Sequence, residues 1–387
     1  MKIGILTHYY KSPNYGGNLQ AYALVHFLRD SRFDAEQVCY DIFFKRERKG
    51  AFLKHVLKKF INVPACVFHF FVKRILLRKR QNFVKSVLNQ RIRAIGNFNQ
   101  NVINHSDRTY GYGNIGEANI HYDAFITGSD QVWHPNNFCP AYLLTFADPE
   151  KKKISYAASI AKTDLNNEEI SRLTSSIADY AAVSVREVDS AALLRRYSKK
   201  EIFCVVDPVF LLSEKQWENL AKPYPINNPY LLTYFLGGNE SSRILAQQFA
   251  KEHNLKLVTL PYLNGSYRKC DWNFGDEQLF DVGPEHFISL IKNADCVFTD
   301  SFHATAFSIL FRTKFYVFPR NSKNAKDMSN RIVSVLNLCC CENSFCNTHE
   351  KMNIKYLNSV WKNNTIVKEN LAQKILFSKN FLIEALK

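Results

Sequence analysis

Residues 295–318, DCVFTDSFHATAFSILFRTKFYVF, decide the fold class. Asp295–Thr299 is a short apolar run that ends in the polar cluster Asp300-Ser301-Phe302-His303. Ala304–Phe311 is apolar and long enough for a helix, and Phe315–Phe318 is a second short apolar run. Strand, helix and strand in that order predict parallel strands joined by a crossover helix. The alternation continues outward. Upstream lie strand Tyr230–Phe235, helix Ser242–His253, strand Lys256–Leu260 and helix Pro284–Asn293. Downstream lie helix Ser329–Leu338 and a terminal helix Val367–Leu386. The first half repeats the pattern: a strand over 2–8, helix Asn18–Arg29, strands Tyr122–Thr127, Lys153–Ala158, Ala182–Val185 and Ile202–Val206, and helix Glu168–Ala178. Pro223, Pro225 and Pro229 read as a linker. The prediction is an α/β chain of two units with mostly parallel sheets: 1–222 with a basic helical insertion at 45–95, 223–340, and a helical tail at 341–387.

A chain of 387 residues is long enough for two domains, and 46% hydrophobic residues exclude wholesale disorder. There is no fixed-period repeat, so a solenoid or propeller is not expected. Met1-Lys2-Ile3-Gly4-Ile5-Leu6-Thr7 reads as a strand rather than a signal peptide. The longest apolar run, Phe60 to Val72, carries Pro64 and His69. It falls short of the roughly 20 residues that a spanning helix needs. The expectation is a cytoplasmic protein whose ten cysteines are reduced thiols.

The net charge of +16 is concentrated in one place. From Lys45 to Ile95 there are 15 Lys and Arg against one acid, Glu47, leaving 36 basic and 34 acidic groups elsewhere. Phe52, Leu53, Val56, Leu57, Phe60 and Ile61 recur at helical spacing with Lys54, Lys58 and Lys59 between them. Such a helix suits an anionic membrane surface, an ordinary solvated insertion, or phosphate contacts on a nucleic acid. No zinc-finger or RRM signature accompanies it, so no nucleic-acid partner is expected.

Ligands of open parallel sheets sit beyond the carboxyl ends of the strands, which nominates the residues that follow each strand. Gly16, Gly17 and Asn18 precede a helix whose N-terminus favours an anion, although paired glycines there also serve as a tight turn. Ser129, Asp130 and Gln131 suit a sugar hydroxyl or base-assisted attack; a turn or helix cap is the plainer alternative. Arg186, in Ser184-Val185-Arg186-Glu187, offers a planar fork to a carboxylate or phosphate, or an ion pair to a neighbouring acid. Asp207 is a site acid or a turn residue. His303, beside Ser301 at a helix start, is placed to move a proton near neutral pH. Lys314, Arg320, Lys323 and Arg331 are candidate anion partners. Cys339-Cys340-Cys341, Cys346 and His349 lack the paired C-x₂₋₄-C spacing of zinc modules, so no metal is expected.

Six stretches occur in one order: NYGGNLQAYAL (14–24), YDAFITGSDQVW (122–133), ISYAASIA (154–161), SVRE (184–187), VVDPVFLL (205–212) and TDSFHATAFSIL (299–310). Together they resemble the polysaccharide pyruvyl transferase family over most of the chain. The resemblance implies two facing Rossmann-like domains in a glycosyltransferase-B-like arrangement. It implies a phosphoenolpyruvate donor and a sugar acceptor, on a cell-surface glycan or its lipid-linked precursor. The product is a pyruvate ketal with release of phosphate, and no metal or redox cofactor takes part. The family's histidine falls on His303 and its SVRE arginine on Arg186, with Asp130 expected at the acceptor hydroxyl. One departure stands out. Better-known members carry an arginine before that histidine and a glycine after it, where this chain has Phe302 and Ala304. The donor phosphate is then left to Arg320, Lys323 or Arg331. The basic insertion has no counterpart in the family pattern. With a lipid-linked acceptor, it would hold the enzyme at the inner face of the cytoplasmic membrane. The alternatives are a nucleotide-sugar glycosyltransferase of the same architecture and a non-catalytic membrane- or glycan-binding relative.

Overall fold

The computed structural model describes residues 1–42, 67–162, 164–263, 267–320, 325–363, 366 and 368–387. Two parallel sheets form its frame. The first has seven strands in the order β3-β2-β1-β4-β5-β6-β7. They are β1 (Lys2–Leu6), β2 (Asp34–Tyr40), β3 (His105–Tyr110), β4 (Ala124–Thr127), β5 (Lys152–Ala158), β6 (Ala182–Val185) and β7 (Ile202–Cys204). The second has five, in the order β10-β9-β8-β11-β12. These are β8 (Tyr230–Tyr234), β9 (Lys256–Thr259), β10 (Glu277–Gln278), β11 (Cys296–Thr299) and β12 (Phe315–Val317). Every named pairing is parallel. The near-continuous apolar character of β4, β8 and β11 follows, because each is buried along its whole length.

In both sheets the chain first works outward on one side and then returns to the other. The reversal falls between β1 and β4 in the first sheet and between β8 and β11 in the second. The backbone diverges at these points, leaving a crevice beyond the strand ends.

The helices are α1 (Tyr15–Asp30), α2 (Val67–Asn101), α3 (Asn167–Ser176), α4 (Val188–Tyr197), α5 (Glu214–Leu220), α6 (Glu240–Glu252), α7 (Pro284–Lys292), α8 (Phe302–Phe311), α9 (Ala325–Leu338), α10 (Ile354–Asn363) and α11 (Glu369–Leu386). Local sequence sets their starts. Asn14 caps α1, and Asn166 with Glu169 closes a capping box on α3. Residues Phe302 to Leu310 of α8 are all buried, which explains why this helix has no polar face. It packs among α1, α7 and α9. The Tyr15 ring stacks on Phe287 at 4.6 Å, and its hydroxyl donates to the Val282 carbonyl at 3.0 Å. The start of α1 is thereby fastened to the second unit.

The latter part of the basic segment is helical, and there α2 lies against the second unit. Val87 packs with Leu263 and Tyr267, the Arg80 guanidinium lies 4.3 Å from the Trp272 ring, and Arg91 donates to the carbonyls of Leu279 and Phe280 at 3.1 and 3.2 Å. The predicted amphipathic stretch Phe52–Ile61 lies outside the described residues. Residues 341–387 carry α10 and α11 and pack on both units. Cys346 and Leu357 join the core of the second sheet, while Leu382 and Leu386 of α11 pack with Ile3 and Ile5 of the first. Among the described residues no helix is long and apolar enough to cross a membrane.

Candidate active site

The two crevices face each other across a cleft of about 450 Å³. From the first unit it is lined by His8, Asn14, Asp130 and Gln131, and from α2 by Arg91. From the second come Tyr234, Tyr262, Ser301, Phe302, His303, Arg320 and Arg331.

His303 sits in the first turn of α8, which Ser301 caps by accepting from the Ala304 amide. Its Nε2 lies 3.7 Å from Oδ2 of Asp207, a carboxylate with no solvent exposure. The same Oδ2 accepts from the Ser129 hydroxyl at 2.9 Å and from Arg186 Nη1 at 2.5 Å, and Oδ1 accepts from the Val209 amide at 3.1 Å. Burial alone would raise the Asp207 carboxyl. Hydrogen bonding and charge from His303 and Arg186 outweigh it and hold the group far below the usual carboxylate range. Asp207 is thus a fixed anion on the Nε2 edge of His303. On the Nδ1 side lies Gly16, where any Cβ would overlap the imidazole ring. Glycine is required here for close approach rather than for a left-handed backbone.

Asp130 occupies the β1/β4 crevice in a left-handed conformation, φ 68°. Burial pushes its carboxyl up. His303, His8, Arg186 and Arg331 pull it down further, so it stays an anion. Arg331 Nη1 is 4.0 Å from its Oδ1. Burial and the repulsion of Arg186 lower Arg331 to about 10, so it remains a cation at neutral pH. Burial likewise lowers His8, against the pull of Asp130, and its Nε2 has no hydrogen-bond partner among the described residues. A neutral imidazole and a carboxylate therefore stand at the end of the first sheet, facing His303.

A family profile described as polysaccharide pyruvyl transferase matches residues 14–322. The chain belongs to that family. No curated protein matches it by sequence. Among solved structures it is similar to the UDP-GlcNAc 2-epimerase of Methanocaldococcus jannaschii, with TM-score 0.53, 12% identity and 92% of each chain covered. It is also similar to the UDP-N-acetylglucosamine 2-epimerase of Rickettsia bellii, with TM-score 0.52 and 10% identity over 99% of this chain and 95% of that one. The Neisseria meningitidis UDP-GlcNAc 2-epimerase gives 0.50 and 12% over 100% and 99%. At these identities the likeness is one of fold: two facing Rossmann-like units, glycosyltransferase-B-like, as the resemblance implied.

In this pyruvyl transferase family member the predicted residues sort by position. Asp130, Gln131, Ser301, His303, Arg320 and Arg331 line the cleft. Gly16, Gly17, Ser129, Arg186 and Asp207 stand behind that lining. Arg186 stands behind the cleft lining, in a cluster of buried charges. It takes the ion-pair alternative, with Asp207 at 2.5 Å and Glu187 at 3.5 Å. Phe302 covers it, the guanidinium carbon lying 4.6 Å from the ring centroid. Arg186 and Asp207 open instead on a groove behind Phe302, and Nη2 of Arg186 is buried there without a hydrogen-bond partner. Asn18 serves its own loop, donating to the carbonyls of Ser12 and Asn14 at 3.1 and 2.6 Å. Lys314 precedes β12, at the end of the sheet away from the cleft, and its Nζ lies 4.1 Å over the Trp361 ring. Lys323 lies outside the described residues. Arg320 donates to the Asp300 carbonyl at 2.9 and 3.1 Å, which fixes it at the rim.

Sequence reasoning missed His8 and Arg91. His8 is hidden inside the strand expected over 2–8, whereas β1 ends at Leu6 and leaves His8 just beyond its carboxyl end. Arg91 carries no signal, since it sits in mid-helix in a segment rich in arginine and lysine.

Proposed function

We propose that this protein transfers pyruvate from phosphoenolpyruvate to two hydroxyls of one sugar, in a cell-surface glycan or its lipid-linked precursor, releasing phosphate. The observation that carries the reading is His303, held between Asp207 and Gly16, facing Asp130 in a cleft that also holds Arg91, Arg320 and Arg331.

The donor has two anionic ends and an enol double bond. Arg331, Arg320 and Arg91 hold the carboxylate and phosphate. His303, with Asp207 on its Nε2 edge, gives a proton to the methylene carbon, so that positive charge develops at the central carbon. Asp130 takes the proton of the acceptor hydroxyl as its oxygen bonds to that carbon. Phosphate leaves with the proton that Asp130 took, and the second hydroxyl closes the ketal as its own proton returns to His303. Arg186 acts at one remove by fixing Asp207.

Purified protein incubated with phosphoenolpyruvate and a panel of glycosides is expected to release phosphate and yield a glycoside heavier by one pyruvate less water. Consumption of a nucleotide sugar instead, with nucleotide release, would replace this reading with glycosyl transfer. His303→Gln, folded as judged by circular dichroism, is expected to lose about 10² or more in turnover.

A lipid-linked acceptor also gives the remaining basic segment a role. Seven Lys and Arg lie between residues 45 and 59, and each is worth about 1 kcal/mol near an anionic bilayer. Flotation with anionic vesicles tests this. Retained flotation after replacing those seven by serine would remove the membrane from the reading.

A further inference from the structure

A second cavity, of about 490 Å³, opens from the cleft on the side of the first unit. The two share His8, Ile42 and Asn137. Their linings differ in kind. The cleft contains arginines and a carboxylate, whereas the second cavity, among the described residues, has no acidic or basic side chain other than His8. Its walls are Tyr40, Tyr112, Phe138 and Tyr142, with Asn136 and Asn137 supplying amides. The His8 ring lies 4.4 Å from that of Tyr142, so one residue joins both chambers. Tyr112, 70% exposed, stands at the outer edge as a large aromatic ring facing solvent.

Walls that carry no charge among the described residues do not select an anion, and an aromatic wall beside amides suits a ligand with apolar faces and a hydroxyl rim. We propose that this chamber binds the second sugar of an oligosaccharide acceptor, stacked on Tyr112 and Phe138, while the sugar that receives pyruvate lies in the cleft beside His8 and Asp130. The proposal rests on the pyruvyl-transfer reading and assigns the sugar next to the reacting one a place of its own in the fold.

Titration calorimetry of the intact protein with nitrophenyl mono- and disaccharides of glucose, galactose and N-acetylglucosamine tests it without turnover. At least one disaccharide is expected to bind about tenfold tighter than its terminal monosaccharide, and Tyr112→Ala is expected to collapse that ratio while Tyr112→Phe keeps it. Equal binding of both lengths across the panel overturns the subsite. So does a ratio that Tyr112→Ala leaves intact. Tighter disaccharide binding without pyruvate transfer would keep the subsite and overturn the reaction, so the two failures are distinguishable.

Discussion

His303 owes its orientation to neighbours that stand behind the cleft lining. Asp207 stands on its Nε2 edge and Gly16 leaves room on the other, so the ring has one comfortable position. Gly16→Ala should show this cleanly. The Asn14 side chain caps the amide of Gly16 at 2.9 Å, so the backbone cannot easily retreat and the imidazole must turn instead. Overpacking of this kind costs about 1–3 kcal/mol. The misplaced acid should cost about 10² in turnover. A thermal melt together with a steady-state rate measures both, and a fully active alanine variant would show that the ring position is not critical. Asp207 makes a separate prediction about pH. Its folded pKa lies below the roughly 3.9 of an unfolded aspartate. The stability it contributes is therefore complete above that range and is lost as pH falls through it. Asp207→Asn should flatten the acid limb of the melting-temperature profile. At neutral pH it should cost about 3 kcal/mol, because Arg186 loses its closest partner while still buried.

Among the elements, α2 changes meaning most between sequence and structure. Its charge suggested a surface, yet Arg91 faces inward, bonded to two carbonyls ahead of α7 and 4.8 Å from the Tyr15 ring. Arg91→Met keeps the stem and removes the hydrogen bonds. It should destabilise by about 2 kcal/mol in urea unfolding and, in the proposed reaction, raise KM for phosphoenolpyruvate more than it lowers kcat. An unchanged KM would confine Arg91 to a structural role. The strands nearest the site were legible because parallel strands buried on both faces read as apolar runs: YDAFIT, ISYAA and DCVFT each point to one. β2 was not legible. DAEQVCY mixes acids with apolar residues, and its Gln37 is buried by donating to the Ala21 carbonyl, a partner no local pattern reveals. Lys314 immediately precedes β12, so chain order alone puts it at the amino end of the strand, away from the cleft.

At the scale of the whole molecule, the two units are joined by more than a linker. The chain completes the second sheet and then returns, through α11, to the first. There the Ser378 hydroxyl accepts from the Val206 amide at 3.0 Å and donates to the Lys374 carbonyl at 2.7 Å. Val206 is the residue before Asp207, so the last helix helps fix the anion that orients His303. No sequence pattern tied Ser378 to the site, since 172 residues separate the bonded pair. Ser378→Ala leaves a buried amide without an acceptor, which costs about 1–3 kcal/mol. If α11 only covers the sheet, that loss should appear in unfolding alone. If it positions Asp207, turnover should fall as well, at temperatures where the variant is fully folded, and Ser378→Thr should restore both. Loss of turnover without rescue by threonine would mean that packing around α11, rather than the hydroxyl, carries the effect.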